Sequence, residues 1–85
     1  MTTITYTITD ELGLHARPAG IMVKMAKEWN GKVEIGTPKK MVDCKRVIGV
    51  MGLALKQGET LTMTFAGEDE EAKAELFLEF LKKEL

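Results

Sequence analysis

Gly13-Leu14-His15-Ala16-Arg17-Pro18-Ala19 stands where an alternating pattern gives way to helical periodicity, and it contains the only histidine of the 85-residue chain. Pro18 suits the first position of a helix, because its φ is already helical and its missing N–H costs nothing there. A helix that begins here leaves the N–H groups around Ala16 and Arg17 unbonded, where free donors and the helix dipole favour an anion. The segment therefore predicts a strand-to-helix transition and an anion site at the same place.

The histidine of this segment is a candidate phosphoryl acceptor. Imidazole has an unperturbed pKa near neutrality, so a ring nitrogen can attack a phosphoryl donor at cellular pH without a separate base. Arg17 adds a fixed positive charge and a fork of donors. A lone histidine is more often a surface or core residue than a catalytic one. The neighbours Gly13, Arg17 and Pro18 favour the functional interpretation, although Gly20 costs the predicted helix roughly 1 kcal/mol relative to alanine.

The length and the charge balance limit the possible functions. A chain of 85 residues predicts one domain over residues 1–85, with a single core and no internal cofactor cavity. Its 12 basic and 13 acidic residues give a formal charge of -1, which offers no broad attraction to nucleic acid or to an anionic membrane. One cysteine, Cys44, and one histidine cannot build a zinc site, so no metal is expected.

Targeting and membrane signals are not evident in the sequence. The segment from Met1 to Thr5 has neither a basic region nor an apolar core of signal-peptide length. No stretch approaches the ~18 uninterrupted apolar residues of a membrane span. These observations predict a cytoplasmic protein without membrane insertion, in a reducing compartment where Cys44 serves as a small apolar residue.

The apolar spacing switches several times between the period of a strand and that of a helix. Alternation predicts strands at residues 4–8, from Val33, around residues 41–43 and at residues 61–65, with a turn at residues 36–39. Helical spacing predicts helices over residues 18–29, over residues 47–53 and after a capped, acidic break at residues 67–71. The terminal helix has a predicted apolar stripe of Ala72, Leu76, Phe77, Phe80 and Leu81. The order βαββαβα predicts an α+β fold, with three helices on one face of a four-stranded antiparallel sheet.

Residues 13–19 resemble the active-site signature of HPr, the family of histidine-containing phosphocarriers of the bacterial phosphoenolpyruvate:sugar phosphotransferase system. The resemblance extends over essentially the whole chain and implies the family's open-faced β-sandwich. It implies that His15 accepts a phosphoryl group on its δ (pros) nitrogen from phosphorylated enzyme I. It also implies that the phosphoryl group passes to a sugar-specific enzyme IIA domain for sugar uptake. Arg17 would stabilise that group both when His15 accepts it and when His15 donates it. A carrier of this kind needs no cofactor and is not a stand-alone enzyme.

The resemblance also implies a docking surface for enzyme I and the enzyme IIA proteins. The short second helix has too many apolar residues for one face, so some of them should face solvent. By the match to the family, the partner contacts are expected at Gly20, Lys24, Val47, Ile48 and Met51. We expect the phosphate to be held at Ala16, Arg17 and Pro18, and the protein to be a monomer.

One position departs from the family pattern. Many members have a regulatory serine just before the second helix, where this chain has Arg46. Arginine has no hydroxyl for a kinase to modify. The serine would also cap the second helix, so its loss should cost roughly 1 kcal/mol of stability unless Asp43 or water caps the helix instead.

Two other functions stay open at this level. A small α+β domain can bind nucleic acid, but Tyr6 and Phe65 have the spacing of core residues and the charge balance is unfavourable. A member of the same family can also act as a regulator that binds its target according to the phosphorylation state of His15. The sequence is compatible with that role.

Overall fold

The computed structural model describes residues 1–85 and has the predicted order of elements. The strands and helices alternate along the chain as follows: β1 (Thr2–Thr7), α1 (Ala16–Lys27), β2 (Lys32–Thr37), β3 (Lys40–Asp43), α2 (Val47–Gly52), β4 (Thr60–Ala66) and α3 (Glu70–Glu84). The predicted βαββαβα order is therefore confirmed. None of the three helices is long and apolar enough to cross a membrane.

The four strands form one antiparallel sheet in the spatial order β1-β4-β2-β3. Met63 at the centre of β4 pairs with Ile4 on one side and with Ile35 on the other. Because side chains alternate across a strand, these residues share the face that the helices cover. On the opposite face, the threonines of β1 and β4 pair directly: Thr3 with Thr64, Thr5 with Thr62 and Thr7 with Thr60. One face of the sheet is thus apolar and the other polar, as the alternation predicts.

The turn between β2 and β3 is shorter than predicted. The sequence predicts a turn over residues 36–39, whereas both strands continue to the pair Thr37 and Lys40 and leave only Pro38 and Lys39 between them. Gly36 lies within β2, where a Cβ atom would collide with the Lys40 carbonyl oxygen. This glycine therefore serves the close approach of two strands, and Pro38 lies in the turn itself.

The core lies between the sheet and the helices. Helix α1 contributes Ala19, Met22, Val23 and Ala26, which recur at the spacing of one helix face. Phe65 of β4 packs against Phe77 of α3 with ring centroids 5.2 Å apart. The prediction that Tyr6 and Phe65 face the core is confirmed, because Phe65 is fully buried and Tyr6 packs against the same cluster.

The predicted apolar stripe of α3 is partly wrong. The helix buries Ala74, Phe77 and Leu81, while Leu76 is 56% exposed. Ala72 is also exposed, and Phe80 packs only at the edge of the core. The terminal helix has more apolar residues than one face can accommodate, so its periodicity alone does not decide which of two overlapping stripes faces the sheet.

The start of α3 is held by Glu70 rather than by a capping side chain at Asp69. Asp69 precedes the helix in the left-handed region, with φ 61°, and its side chain makes no capping hydrogen bond. The Glu70 carboxylate accepts hydrogen bonds from the Thr2 hydroxyl at 2.7 Å and from the Gly67 N–H at 3.3 Å. It also contacts the Met1 ammonium at 3.0 Å. The Thr2 hydrogen bond, followed by the ammonium group, lowers the pKa of Glu70. These contacts fasten the first residues of β1 to α3.

Candidate functional site

The loop between β1 and α1 forms a tight turn directly before the histidine. The Asp10 carbonyl oxygen accepts the Gly13 N–H at 3.0 Å, and Asp10 Oδ1 accepts the Leu12 N–H at 2.9 Å. Gly13 has φ 63°, in the left-handed region that favours glycine. A Cβ atom on Gly13 would also collide with the Leu55 carbonyl oxygen. Gly13 therefore permits the close approach of this loop to Leu55, and no pattern in the sequence indicates the role of Asp10 in the turn.

Two distant parts of the chain anchor this loop. The backbone oxygen of Leu85, after the end of α3, accepts the N–H groups of Thr9 and Asp10 at 2.6 and 2.8 Å, and the Thr9 hydroxyl at 2.8 Å. The Leu55 carbonyl oxygen, after α2, accepts the Leu14 N–H at 2.9 Å. The position of the histidine thus depends on the packing of α3 and of the segment after α2. No pattern in the sequence identifies Leu85 or Leu55 as partners of this loop.

His15 is the residue that caps the N-terminus of α1. Its backbone is extended, with φ -102° and ψ 178°, and its carbonyl oxygen accepts the first helical hydrogen bond, from the Ala19 N–H at 3.1 Å. The side chain makes no capping hydrogen bond and is 32% exposed. Its Nε2 atom lies 3.9 Å from Asp10 Oδ2. The ring is therefore open to solvent on one side and faces a carboxylate on another.

Helix α1 begins two residues earlier than predicted, which changes the role of Pro18. Ala16 and Arg17 occupy the first two helical positions, and Pro18 is the third and is buried. None of the first four N–H groups of a helix has an intrahelical acceptor, so a proline is tolerated anywhere in that turn and does not fix its start. Pro18 has no N–H to offer an anion. The donors free to hold a phosphate are the N–H groups of Ala16 and Arg17, which donate no backbone or side-chain hydrogen bond in the structure.

The first turn of α1 favours an anion electrostatically. It has no acidic residue, and the exposed Arg17 guanidinium forms no ion pair. The predicted phosphate contacts at Ala16 and Arg17 thus lie beside His15, at the positive end of the helix dipole.

The predicted docking residues lie on the exposed sides of α1 and α2, which pack against each other. We use "docking surface" for this set, all of whose members are exposed: Gly20, Lys24, Val47, Ile48 and Met51. Ile48 is 86% exposed, Val47 44% and Met51 38%. Between them, Val50 is fully buried and holds α2 against the core. The second helix has more apolar residues than its buried face accommodates, which confirms the expectation that some of them face solvent.

Gly20 offers a direct test of stability within this surface. It is exposed in the interior of α1, and a Cβ atom there would meet no atom within 4 Å. We expect Gly20→Ala to raise the free energy of unfolding by about 1 kcal/mol, through helix propensity. Thermal melting should show an increase of about 4–8 °C in Tm. Gly36→Ala is the control and should lower Tm, and an unchanged or lower Tm for Gly20→Ala would contradict the prediction.

The N-terminus of α2 has no side-chain cap. Arg46 occupies the capping position with an extended backbone and makes no capping hydrogen bond. Asp43 does not replace the missing cap, because its carboxylate accepts the Lys45 N–H at 2.9 Å, before the helix begins. Arg46, Lys27 and Ile48 line one open groove beside this helix end. The arginine therefore contributes charge at the edge of the docking surface.

Cys44 has no part in this site. It is fully buried in the core, as its interpretation as a small apolar residue predicts. Burial, followed by the nearby Asp43 carboxylate, raises its pKa to about 12. A thiol with that pKa is protonated at neutral pH and is a poor nucleophile.

The comparisons with known proteins agree with the fold and cover the whole site. The family model for the PTS HPr component phosphorylation site matches residues 2–83. The chain is similar to the phosphocarrier protein HPr of Lysinibacillus sphaericus, with 45% identity over 71 residues, which are 84% of this chain and 81% of that protein.

Solved structures of HPr proteins also resemble the chain. The crystal structure of HPr-C-His from Thermoanaerobacter tengcongensis superposes with a TM-score of 0.90 at 29% identity, covering 98% of this chain and 93% of that one. An HPr dimer from the same organism gives a TM-score of 0.74 at 29% identity, with 98% and 95% of the two chains covered. The open-faced βαββαβα architecture is shared with both.

Proposed function

The chain belongs to the HPr family of the phosphotransferase system, and from that premise we propose that His15 is its phosphoryl acceptor. The group would come from phosphorylated enzyme I, ultimately from phosphoenolpyruvate, and would pass to a sugar-specific enzyme IIA domain in the cytoplasm. The observation that carries the proposal is the position of His15. His15 caps α1 through its backbone, and its partly exposed ring stands at the start of the helix, whose first two N–H groups donate no other hydrogen bond.

The transfer needs only one ring nitrogen with a lone pair. Nδ1 of His15 attacks the phosphorus atom, an N–P bond forms, and the bond between phosphorus and the donor nitrogen breaks with its electron pair returning to the donor. The Ala16 and Arg17 amides at the start of α1 and the Arg17 guanidinium would hold the phosphoryl oxygens. Onward transfer reverses the same step on another partner.

The moderate strength of this site suits a carrier. A carrier must release the group as readily as it accepts it, so its phosphorylated and free states must be close in free energy. One arginine and one helix end provide fewer fixed charges than the lysine, metal ions and glycine-rich loop of a kinase. We therefore assign to the protein the role of a phosphoryl acceptor and donor rather than that of a catalyst.

The docking surface would bring each partner to His15. Exposed aliphatic and methionine side chains can bury apolar area against several different proteins. Lys24 and Arg46 place positive charge on and beside this surface, which favours partners with an acidic face. With Arg46 in place of the family's serine, seryl phosphorylation at that position is ruled out chemically. The monomeric state stays a prediction, since a similar solved chain is described as an HPr dimer.

The proposed function is tested by incubating the protein with phosphoenolpyruvate and enzyme I and then measuring its intact mass. We expect an increase of one phosphoryl group, lost in acid and retained in base, because a phosphoramidate is acid-labile and a phosphoserine is not. Onward transfer is measured by adding an enzyme IIA domain and following the loss of that mass. No modification, or an acid-stable one, would contradict the proposal.

Arg46 is expected to act on the rate at which partners associate. Arg46→Asp should slow association with enzyme I several-fold at about 0.01 M salt, where the screening length is about 30 Å. The difference should disappear near 1 M salt, where that length is about 3 Å. Stopped-flow association rates provide the measurement, with Lys83→Asp on α3 as a control of equal charge change. Equal low-salt rates for the parent and Arg46→Asp would place Arg46 outside the interface.

Ile48→Ala tests the apolar contribution of the docking surface in the same measurement of binding to enzyme I. Ile48 is almost wholly exposed in the free protein, so its truncation should leave Tm unchanged. If it packs against enzyme I, affinity should fall roughly 5-fold, mainly through faster dissociation and with little dependence on salt.

A further inference from the structure

Asp10 is the carboxylate that faces the histidine ring. Its Oδ2 atom lies 3.9 Å from His15 Nε2, and no other carboxylate lies within 4 Å of a ring nitrogen. Asp10 is also held in place from several sides. Its N–H donates to Leu85, its carbonyl oxygen accepts the Gly13 N–H, and its Oδ1 accepts the Leu12 N–H. With Oδ1 occupied by the backbone, Oδ2 is the oxygen left to face the ring.

We propose that Asp10 is a positioning residue for His15, an inference that rests on the proposed phosphoryl transfer. At 3.9 Å the carboxylate is beyond hydrogen-bond distance of Nε2, but its negative charge favours the neutral tautomer whose proton is on Nε2, and this leaves the lone pair on Nδ1. The tautomer of a histidine commonly depends on the group that one of its ring nitrogens faces. Nδ1 is bonded to the ring carbon that carries Cβ, so it is the ring nitrogen nearer to the His15 backbone.

The same carboxylate offsets the charge that transfer creates. When Nδ1 forms its bond to phosphorus, Nε2 keeps its proton, so the ring becomes positively charged. The electron pair of the broken bond goes to the donor nitrogen, and no proton needs to move on His15. A negative charge about 4 Å from Nε2 favours this cationic, phosphorylated ring. The phosphorylated ring is a good leaving group in the next transfer only while Nε2 keeps its proton, and a carboxylate beside Nε2 favours that protonated form.

Other charges in the neighbourhood are less well placed. Glu11 and Arg17 lie on the same segment, and Lys56 and Glu59 lie on the segment after α2 that packs against Gly13. All four are exposed, and none forms an ion contact with the ring. Removing the Glu11 charge is therefore the matched control for removing the Asp10 charge.

The decisive variant is Asp10→Asn, compared with Glu11→Gln. Asparagine retains the oxygen that accepts the Leu12 N–H, so the turn is preserved, and its amide group then faces Nε2 as a donor. A donor at that place favours the opposite tautomer. Since His15 is the only histidine, the ¹⁵N spectrum of the imidazole shows one pair of ring nitrogens. We expect the proton to reside on Nε2 in the parent and in Glu11→Gln, and to shift towards Nδ1 in Asp10→Asn.

The phosphoryl-transfer rate is the second readout. The Coulomb energy of a charge pair about 4 Å apart in water corresponds to about a 5-fold change in rate, so Asp10→Asn should accept phosphate from enzyme I about 5-fold more slowly than Glu11→Gln. Asp10→Ser retains an acceptor for the turn without an amide donor. It should show the slower transfer with a smaller change in tautomer, which separates the charge from the geometry.

The possible results distinguish this inference from the proposed function. If the parent is phosphorylated, and Asp10→Asn matches Glu11→Gln in both tautomer and rate, Asp10 has no positioning role while the proposed function stands. If the parent takes no phosphoryl group, the proposed function fails, and the tautomer shift alone cannot support the inference. A slower Asp10→Asn with an unchanged tautomer and a lowered Tm would reduce Asp10 to a structural residue of the turn.

Discussion

His15→Ala is expected to abolish phosphorylation by phosphoenolpyruvate and enzyme I. His15 is the only imidazole in the chain, so no second ring nitrogen can accept the group. Cys44 cannot replace it, because its thiol is fully buried and its pKa is about 12. Intact mass after incubation should show the unmodified protein, under conditions in which the parent gains one phosphoryl group.

His15→Ala should fold like the parent, so a loss of phosphorylation can be assigned to the missing imidazole. His15 caps α1 through its backbone, and its side chain makes no capping hydrogen bond. Alanine therefore removes no helix cap, and we expect the free energy of unfolding to change by no more than about 0.5 kcal/mol. Thermal melting is the control. If an acid-labile phosphoryl group persists in a folded His15→Ala variant, His15 is not the acceptor.

Arg17→Ala is expected to slow phosphoryl transfer by more than ~10-fold while the fold stays intact. A charge-assisted contact with a transferring phosphoryl group is worth a few kcal/mol when it strengthens in the transition state. The Arg17 side chain is exposed at the second position of α1 and forms no ion pair, so its removal leaves no partner unsatisfied. Alanine is also a good helix former, which protects the first turn.

Rapid-quench measurements of transfer from phosphorylated enzyme I, at several concentrations of carrier, separate binding from chemistry. The loss should appear in the rate at saturation, because Arg17 would act on the transferring group. Arg17→Lys is the matched variant and should fall between the parent and Arg17→Ala, since lysine keeps the charge but loses the planar fork of donors. Unchanged kinetics in Arg17→Ala would make Arg17 a solvated surface charge.

Periodicity predicts the elements whose patterns depend on local geometry. Side chains alternate along a strand and recur every 3.6 residues on a helix, so Ile4, Met63 and the buried face of α1 could be predicted without knowledge of their partners. The short α2 could also be predicted to expose apolar residues, because Val47, Ile48 and Met51 exceed what one face of six residues can bury. The motif around His15 also predicts a helix start, which the structure places at Ala16, two residues before Pro18. The roles of His15 as phosphoryl acceptor and of Arg17 beside it stay predictions.

Long-range packing sets the contacts that surround the motif around His15. Leu85 and Leu55 anchor the loop before His15 from positions far along the chain, and no local pattern identifies such partners. The buried face of α3 also depended on the sheet, which selects Ala74 over Leu76. The approach of Asp10 to the ring follows from a turn and a helix start that are fixed together. The sequence therefore determines which side chains supply the chemistry, because periodicity and residue type are local properties. Their distances and orientations depend on long-range packing, which only the folded chain provides.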